Sequence, residues 1–503
     1  MIAPPTLTQP PPQQTSVPTR AVQPVYTLTD DDRARAKAIA FAWKAYEGCL
    51  DKPLVPLPGD PDDNVLSNRC QQIVDRGVDF LFGKELEIAL ADAAPDTAQS
   101  LIDTAWGRKE TRIPLLQDLA MNGAMAGRAF LRIMPNKDAT KFRLITVDPA
   151  IVSVQHAPQD CETVLLYHLE YSVKEPINGT PQTVCYCEEI ARVDPDGNAR
   201  RGQPDDDDTW MVNHWTRLGE RGDWTPDAGG AYAWPYPFAP LFSCKNLPKP
   251  NSFWGMPDLT NDLIGLNIAL NLVQSNINRT EKLYGNPILY SNGEGEGVLD
   301  VKPGRIAALS ETGKITAVPI PTDVANALAF AANLRSDIDE QSAVPGVATG
   351  RISDMPRGNL SGIAIELLFM PITKKTDKKR NLYGELLIDV TNALLVLGGI
   401  DADIDMTLAW QSPLPHDDLP SVQSAIAKKE LSISNTTLQR ELGYDPEEEL
   451  ALSQSEQEQQ LVAYSRGAGL PPAVPGVPPL PEQTPQPPAA APGADVPPQG
   501  GQT

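Results

Sequence analysis

Basic side chains are scarce in this sequence: 42 Lys and Arg stand against 65 Asp and Glu, a formal charge of −23. Such a balance repels phosphate and anionic lipid at long range, which argues against a tight nonspecific nucleic-acid binder but not against a protein that lets a nucleic acid pass without gripping it. Cysteine is scarce too. The six, at 49, 70, 161, 185, 187 and 244, are far too sparse for a secreted disulfide scaffold and suit a reducing cytosol. No run of 18 apolar residues occurs, and the N-terminus has neither a basic opening nor an apolar stretch. Neither a membrane span nor an export signal is expected.

Several chemistries lack their motifs. The phosphate-cradling GxxxxGK[ST] loop is missing, since Gly83-Lys84 and Gly313-Lys314 lack the upstream glycine spacing and the Ser/Thr, so no ATP motor is expected. HExxH and GxSxG are missing as well, and Asn359 to Gly362 resembles the latter only superficially. Cys185 and Cys187, two apart on an expected strand, share a face and could join His168 and His214 as soft metal ligands; two half-buried cysteines are the simpler account. The run Asp205 to Asp208 lacks the glycine and glutamate spacing of a calcium loop and reads as a solvated hairpin tip. A carboxylate hydrolase would have to use Asp194 with Asp196 or Glu188 with Glu189. Neighbours on a strand face opposite ways, whereas general acid–base work needs convergence. No catalytic residue, metal ligand or cofactor is therefore expected.

Proline is what the chain has in excess. Of its 50 prolines, seven lie in residues 1–24 and twelve in 471–503, where apolar content is too low to offset the entropy of ordering. The segments 1–24 and 464–503 are expected to be disordered. The body between them is long enough for about three domains. Asp30 to Gly48 reads as a helix, as do Ile73 to Phe82, ending at Gly83, and Leu115 to Ala129. Short β-type runs follow at 130–134, 142–147, 151–155, 164–171 and 183–189, with turns at Asn178-Gly179 and Asp196-Gly197. The fold class is α+β.

From Asp258 to Tyr284 the apolar positions Leu259, Leu263, Leu266, Leu270, Val273 and Ile277 trace one helical seam, and no charged residue occurs between Leu263 and Asn278. Amides occupy the other faces: Asn267, Asn271, Gln274, Asn276 and Asn278. Such a helix is expected to meet protein on more than one side, with other subunits as its neighbours. A glycine-rich excursion, 285–321, contains possible strands at 305–309 and 314–320. An alanine-dense helix spans about Asp323 to Gln341. Residues 343–360 break all periodicity, with three glycines and two prolines in eighteen residues. A last long helix, Gly362 to Leu397, is expected to kink at Pro371. Within it Lys374, Lys375, Lys378, Lys379 and Arg380 make either one solvated face or a surface for phosphate or acidic neighbours. A strand near Ile404 to Trp410 and polar helices over 417–463 complete the body.

That order of blocks resembles the portal proteins of tailed bacteriophages, the siphophage type of phages that infect Gram-positive hosts. The most specific blocks are 253–293, 342–372 and 428–451, FWGMPDLTNDLIGLNIALNLVQSNINRTEKLYGNPILYSNG, SAVPGVATGRISDMPRGNLSGIAIELLFMPI and KKELSISNTTLQRELGYDPEEELA. The resemblance implies a portal fold: wing (25–255), stem helix (256–284), β-containing clip (285–321), second stem helix (322–342), tunnel loop (343–360), kinked helix (361–398), wing return strand (399–416) and crown (417–463). It implies a ring of twelve identical subunits at one capsid vertex of the virion, assembled in the host cytoplasm. Double-stranded DNA would pass through, and terminase large subunit, head-tail adaptor, major capsid and scaffold proteins would be partners. Tunnel-loop residues Val347, Thr349, Arg351, Ile352, Met355 and Arg357 would then face DNA or a neighbour. The six seam residues would lie between subunits, and Glu294, Glu296, Lys302, Arg305 and Lys314 would bind the clip's partners. A minor head protein without a channel is the alternative.

Overall fold

The computed structural model describes residues 23–56, 62–90, 95–107, 109–135, 142–177, 179–219, 221–227, 230–285, 289–292, 314–317, 324–351, 362–400 and 404–414, with scattered positions between 428 and 453. The chain divides into two compact units, Met1–Pro415 and His416–Thr503. The two tails lie outside the described residues apart from 23 and 24.

Helix α1 (Asp30–Tyr46) opens on a capping box: the Thr29 hydroxyl accepts from the Asp32 N–H, and the Asp32 carboxylate accepts from the Thr29 N–H. α2 (Arg69–Phe82) is capped by Asn68, ends at Gly83 and buries Ile73, Val74, Val78, Leu81 and Phe82, the face its apolar spacing foretold. β1 (Leu86–Leu90) and α3 (Asp96–Trp106) follow, and neither was read from the sequence. α4 (Lys109–Ala126) starts earlier than expected and ends three residues sooner, because Gly127 takes φ +82 and reverses the chain. A Cβ on Gly127 would lie 2.4 Å from the Gly255 carbonyl oxygen, and one on Gly255 2.4 Å from that of Gly127. Two backbones meet there with room for no side chain.

β2 (Arg128–Pro135) and β3 (Phe142–Val147) pair antiparallel. β4 (Val152–Ala157), β5 (Asp160–Ile177), β6 (Thr180–Val193), β7 (Thr209–Leu218) and β8 (Thr225–Pro226) form one antiparallel sheet in that order, with β9 (Tyr232–Trp234) on β7. β5 and β6 outrun their expected lengths because they form a single long hairpin that turns through Gly179 at φ +79. β10 (Leu241–Lys245) returns to pair with β2. Trp210, Trp215 and Trp234 are buried in this β region.

α5 (Asn261–Gly285), α6 (Ala325–Ser342) and α7 (Gly362–Leu397) are the long helices. β11 (Leu289–Asn292) and β12 (Lys314–Ala317) pair between α5 and α6. The expected strand 305–309 lies outside the described residues. α7 continues as helix through Pro371. β13 (Met406–Trp410) pairs antiparallel with β1, more than 300 residues upstream, from Leu86↔Trp410 to Leu90↔Met406. The core gathers Trp106, Leu119, Phe130, Tyr383, Leu387, Val390 and Leu394 among its members. Each such side chain, fully buried, contributes about 1.5–3 kcal/mol. Of the expected helical end 417–463, only isolated positions are described, among them a Ser434 hydroxyl that accepts the Thr437 N–H at 3.3 Å.

Candidate functional site

The helices α5, α6 and α7 meet where the Gly/Pro loop begins. Asp258, just before α5, is buried, and its N–H donates to the Ala124 carbonyl at 2.8 Å. Two lysines of α7 reach it: Lys375 Nζ at 2.8 Å from Oδ1 and Lys379 Nζ at 2.5 Å from Oδ2. Lys375 also donates to the Ser342 carbonyl at the end of α6, 2.9 Å away. Burial alone would raise the Asp258 carboxyl, yet Lys375 and Lys379 outweigh it and hold the group well below the usual carboxylate range. Lys379 moves the other way. Burial pulls its pKa down and the Lys375 ammonium adds to that, against the opposing pull of Asp258.

The expected single basic face is therefore corrected. Lys374 and Lys378 are exposed, while Lys375 and Lys379 turn inward to Asp258. Arg380 lies over the Trp410 ring, 5.2 Å from its centroid, and donates to the Gln411 carbonyl. An α-helix turns about 100° per residue, so five cations in seven residues cannot share one side.

α6 ends at Ala343, which adopts φ 57. Residues Gly346–Thr349 then form a 3-10 turn rather than open loop, with the Thr349 hydroxyl donating to the Gly346 carbonyl at 2.9 Å. Val347 and Thr349 are half-buried. Arg351 was expected to face DNA or a neighbour. Within the chain it forms an ion pair with Asp339 of α6, which also holds Arg69 of α2 at 3.4 Å. Ile352, Met355 and Arg357 lie outside the described residues, as do Glu294, Glu296, Lys302 and Arg305; Lys314 opens β12.

The seam of α5 is also placed differently. Leu259, Leu263 and Leu270 are buried in this chain's own core, and Leu266 and Val273 pack against it, with Ile277 half-buried. For the three fully buried leucines, the expectation of a subunit neighbour does not hold. Four of the five amides likewise find a partner within the chain, and Asn276 is exposed. Asn267 Oδ1 accepts the Arg69 N–H at 3.1 Å, Asn271 Oδ1 the Ser67 N–H at 2.8 Å, and the Ser275 hydroxyl the Val65 N–H at 2.9 Å. Gln274 accepts from the Ser67 hydroxyl, Asn278 donates to the Asp63 carbonyl at 2.7 Å, and Arg279 pairs with the Asp63 carboxylate. A segment with few bonds of its own thus docks along a helix whose side chains supply further partners. Sequence reading saw the amides and missed the strap, because residues some 200 positions apart carry the two halves.

In the large sheet, the proposed sulfur and imidazole quartet is not assembled. His168 Nδ1 lies 3.7 Å from Cys187 Sγ, but Cys185 reaches the Gly219 carbonyl and His214 faces Glu188. Among the described residues no group of three or more His, Cys, Asp or Glu is placed to hold a metal. Glu188 joins Arg132 and His214, whereas Glu189 joins His168 and the N–H groups of Val25 and Tyr26. The two carboxylates diverge, as alternation along a strand requires. Asp208 is not a solvated tip residue: it is buried and ion-paired with Arg200. Among the described residues no helix is long and apolar enough to cross a membrane.

No curated protein matches the chain. Two solved structures share 13% identity with it at a TM-score of 0.42. One is the neck of a native gene transfer agent particle computed with C12 symmetry, covering 85% of this chain and 96% of that one. The other is the virion of a native gene transfer agent particle, covering 82% and 99%. Likeness at that level carries no argument about function or subunit number. A sequence model of the family described as phage portal protein, SPP1 Gp6-like, matches residues 236–462, which contain α5, α6, the turn at 346–349 and α7. Over that stretch the chain bears out its resemblance to the phage portal proteins.

Proposed function

We propose that this chain is the subunit of a ring-shaped channel at one vertex of a phage-like capsid, through which duplex DNA enters and leaves. The family match over residues 236–462 carries the reading, since it spans the three long helices and the loop between two of them. The ring has twelve subunits in the virion. It docks the terminase large subunit during packaging and a head-tail adaptor afterwards, the β11–β12 excursion being the docking element. Major capsid and scaffold proteins surround it. It is structural rather than catalytic: a chain with a formal charge of −23 repels phosphates, so a duplex slides instead of being trapped. Assembly takes place in the host cytoplasm.

Negative-stain images or native mass spectrometry of the purified chain should give a ring with a central hole. Deleting 343–360 should abolish DNA packaging while rings still form. Packaging that survives this deletion would remove the loop from the mechanism.

A further inference from the structure

Two exposed stripes on α6 and α7 match each other in spacing and in sign. α6 buries Ala331, Leu334 and Ile338. On another face Phe330, Asn333, Asp337 and Glu340 follow one another, all exposed, with Phe330 at 51%. α7 buries Ile372, Thr376 and Lys379, and on its outer face Leu367, Met370, Lys374 and Lys378 are exposed. Leu367 stands at 61% and Met370 at 49%. Measured along the axis at 1.5 Å per residue, Asp337 and Glu340 lie about 10 and about 15 Å from Phe330; Lys374 and Lys378 lie about 10 and about 16 Å from Leu367. Single exposed apolar residues are ordinary on a surface. An apolar group followed at matching distances by two acids on one helix, and by two bases on the other, is not.

Among the described residues neither stripe meets an opposite charge from another element. The one ion pair of Lys374 is with Asp377, 3.9 Å away on the same helix. Among the described residues Asp337 and Lys378 form no ion pair, and the Glu340 carboxylate accepts only from the Ser336 hydroxyl.

We propose that the α7 stripe of one copy docks on the α6 stripe of the next, the two helices running the same way. Leu367 and Met370 then cover Phe330, Lys374 pairs with Asp337, and Lys378 pairs with Glu340. The two faces differ, so the contact is head-to-tail and continues from copy to copy until the ring closes. This rests on the ring reading above and assigns residues to its subunit contact. The occupant is a second copy rather than DNA because the apolar half of the α7 stripe has no counterpart in a phosphate backbone, whereas α6 supplies both halves.

Charge reversal in the full-length chain tests it, with sedimentation velocity for assembly and circular dichroism for folding. K374E/K378E and D337K/E340K should each raise the concentration for half-assembly by about tenfold or more, since two pairs become repulsions. All four sites are exposed, so the chain should remain folded. The quadruple variant should assemble like the wild type. If either double variant assembles normally, or the quadruple variant stays dissociated, the contact is wrong while the ring stands. Normal assembly by K374E/K378E with weakened binding to duplex DNA would assign the lysines to DNA and overturn the proposal. A wild-type chain that never assembles overturns the ring reading, and this contact falls with it.

Discussion

Asp258 neutralises the buried Lys379 ammonium and the half-buried Lys375 ammonium, and its removal leaves both without that counter-charge. Asp258→Ala should therefore cost about 3–5 kcal/mol, read as a lower urea midpoint, whereas Lys379→Met, which leaves one ion pair intact, should cost less. The sign of the pH effect follows from the depressed carboxyl. Its contribution is fully present above the unfolded value of about 4 and fades as pH falls toward the folded value. Stability measured between neutral and acid pH should fall more steeply in the wild type than in the Ala variant. His168 works in the opposite sense. Burial would lower its pKa, but Cys187, Glu170 and Glu189 around the ring raise it well above the ordinary imidazole. Its contribution is present below about 6.5 and is lost only as pH climbs through the raised folded value. NMR of the imidazole should find it protonated at pH 8, and titration near the free value would refute this. Since Glu189 also accepts from the Val25 and Tyr26 N–H groups, His168→Leu should loosen residues 25 and 26 first.

Among the elements, the joint between α5 and residues 63–69 offers the clearest test. In the double variant Asn267→Ala/Asn271→Ala the Ser67 N–H loses its acceptor, at about 1–3 kcal/mol if it stays buried, while the Arg69 N–H keeps only the Ser67 carbonyl at 3.1 Å. Hydrogen exchange at Ser67 and Arg69 should accelerate while amides in the middle of α7 stay protected. The same joint marks the limit of sequence reading. α1 and α2 were legible because Asp30 to Asp32 suit a helix start, Gly83 suits a helix end and the apolar spacing is periodic, though the Asn68 cap that starts α2 four residues before Ile73 was missed. β1 was not, since its strand partner among the described residues is β13 and no local pattern specifies that pairing. Two inward lysines on α7 looked like surface residues for the same reason: their counter-charge, Asp258, lies more than a hundred positions away. At the candidate site, then, the helices and the loop could be located from the sequence, but the partners of their polar groups could not.

For the whole molecule, residues 236–462 match the phage portal family model, and the acidic balance is compatible with the channel proposed above. The joint along α5 has a further consequence through the kind of bond it uses. Except for the Asp63–Arg279 pair, the contacts at Asn267, Asn271, Gln274, Ser275 and Asn278 are between neutral groups, which mobile counter-ions do not screen. The contact proposed between copies depends on exposed charges, which added electrolyte does screen, with a Debye length of about 10 Å at 0.1 M shrinking to about 3 Å at 1 M. Raising the sodium chloride concentration should therefore release intact protomers before any of them melts, a sequence of events that light scattering and calorimetry on one sample can follow.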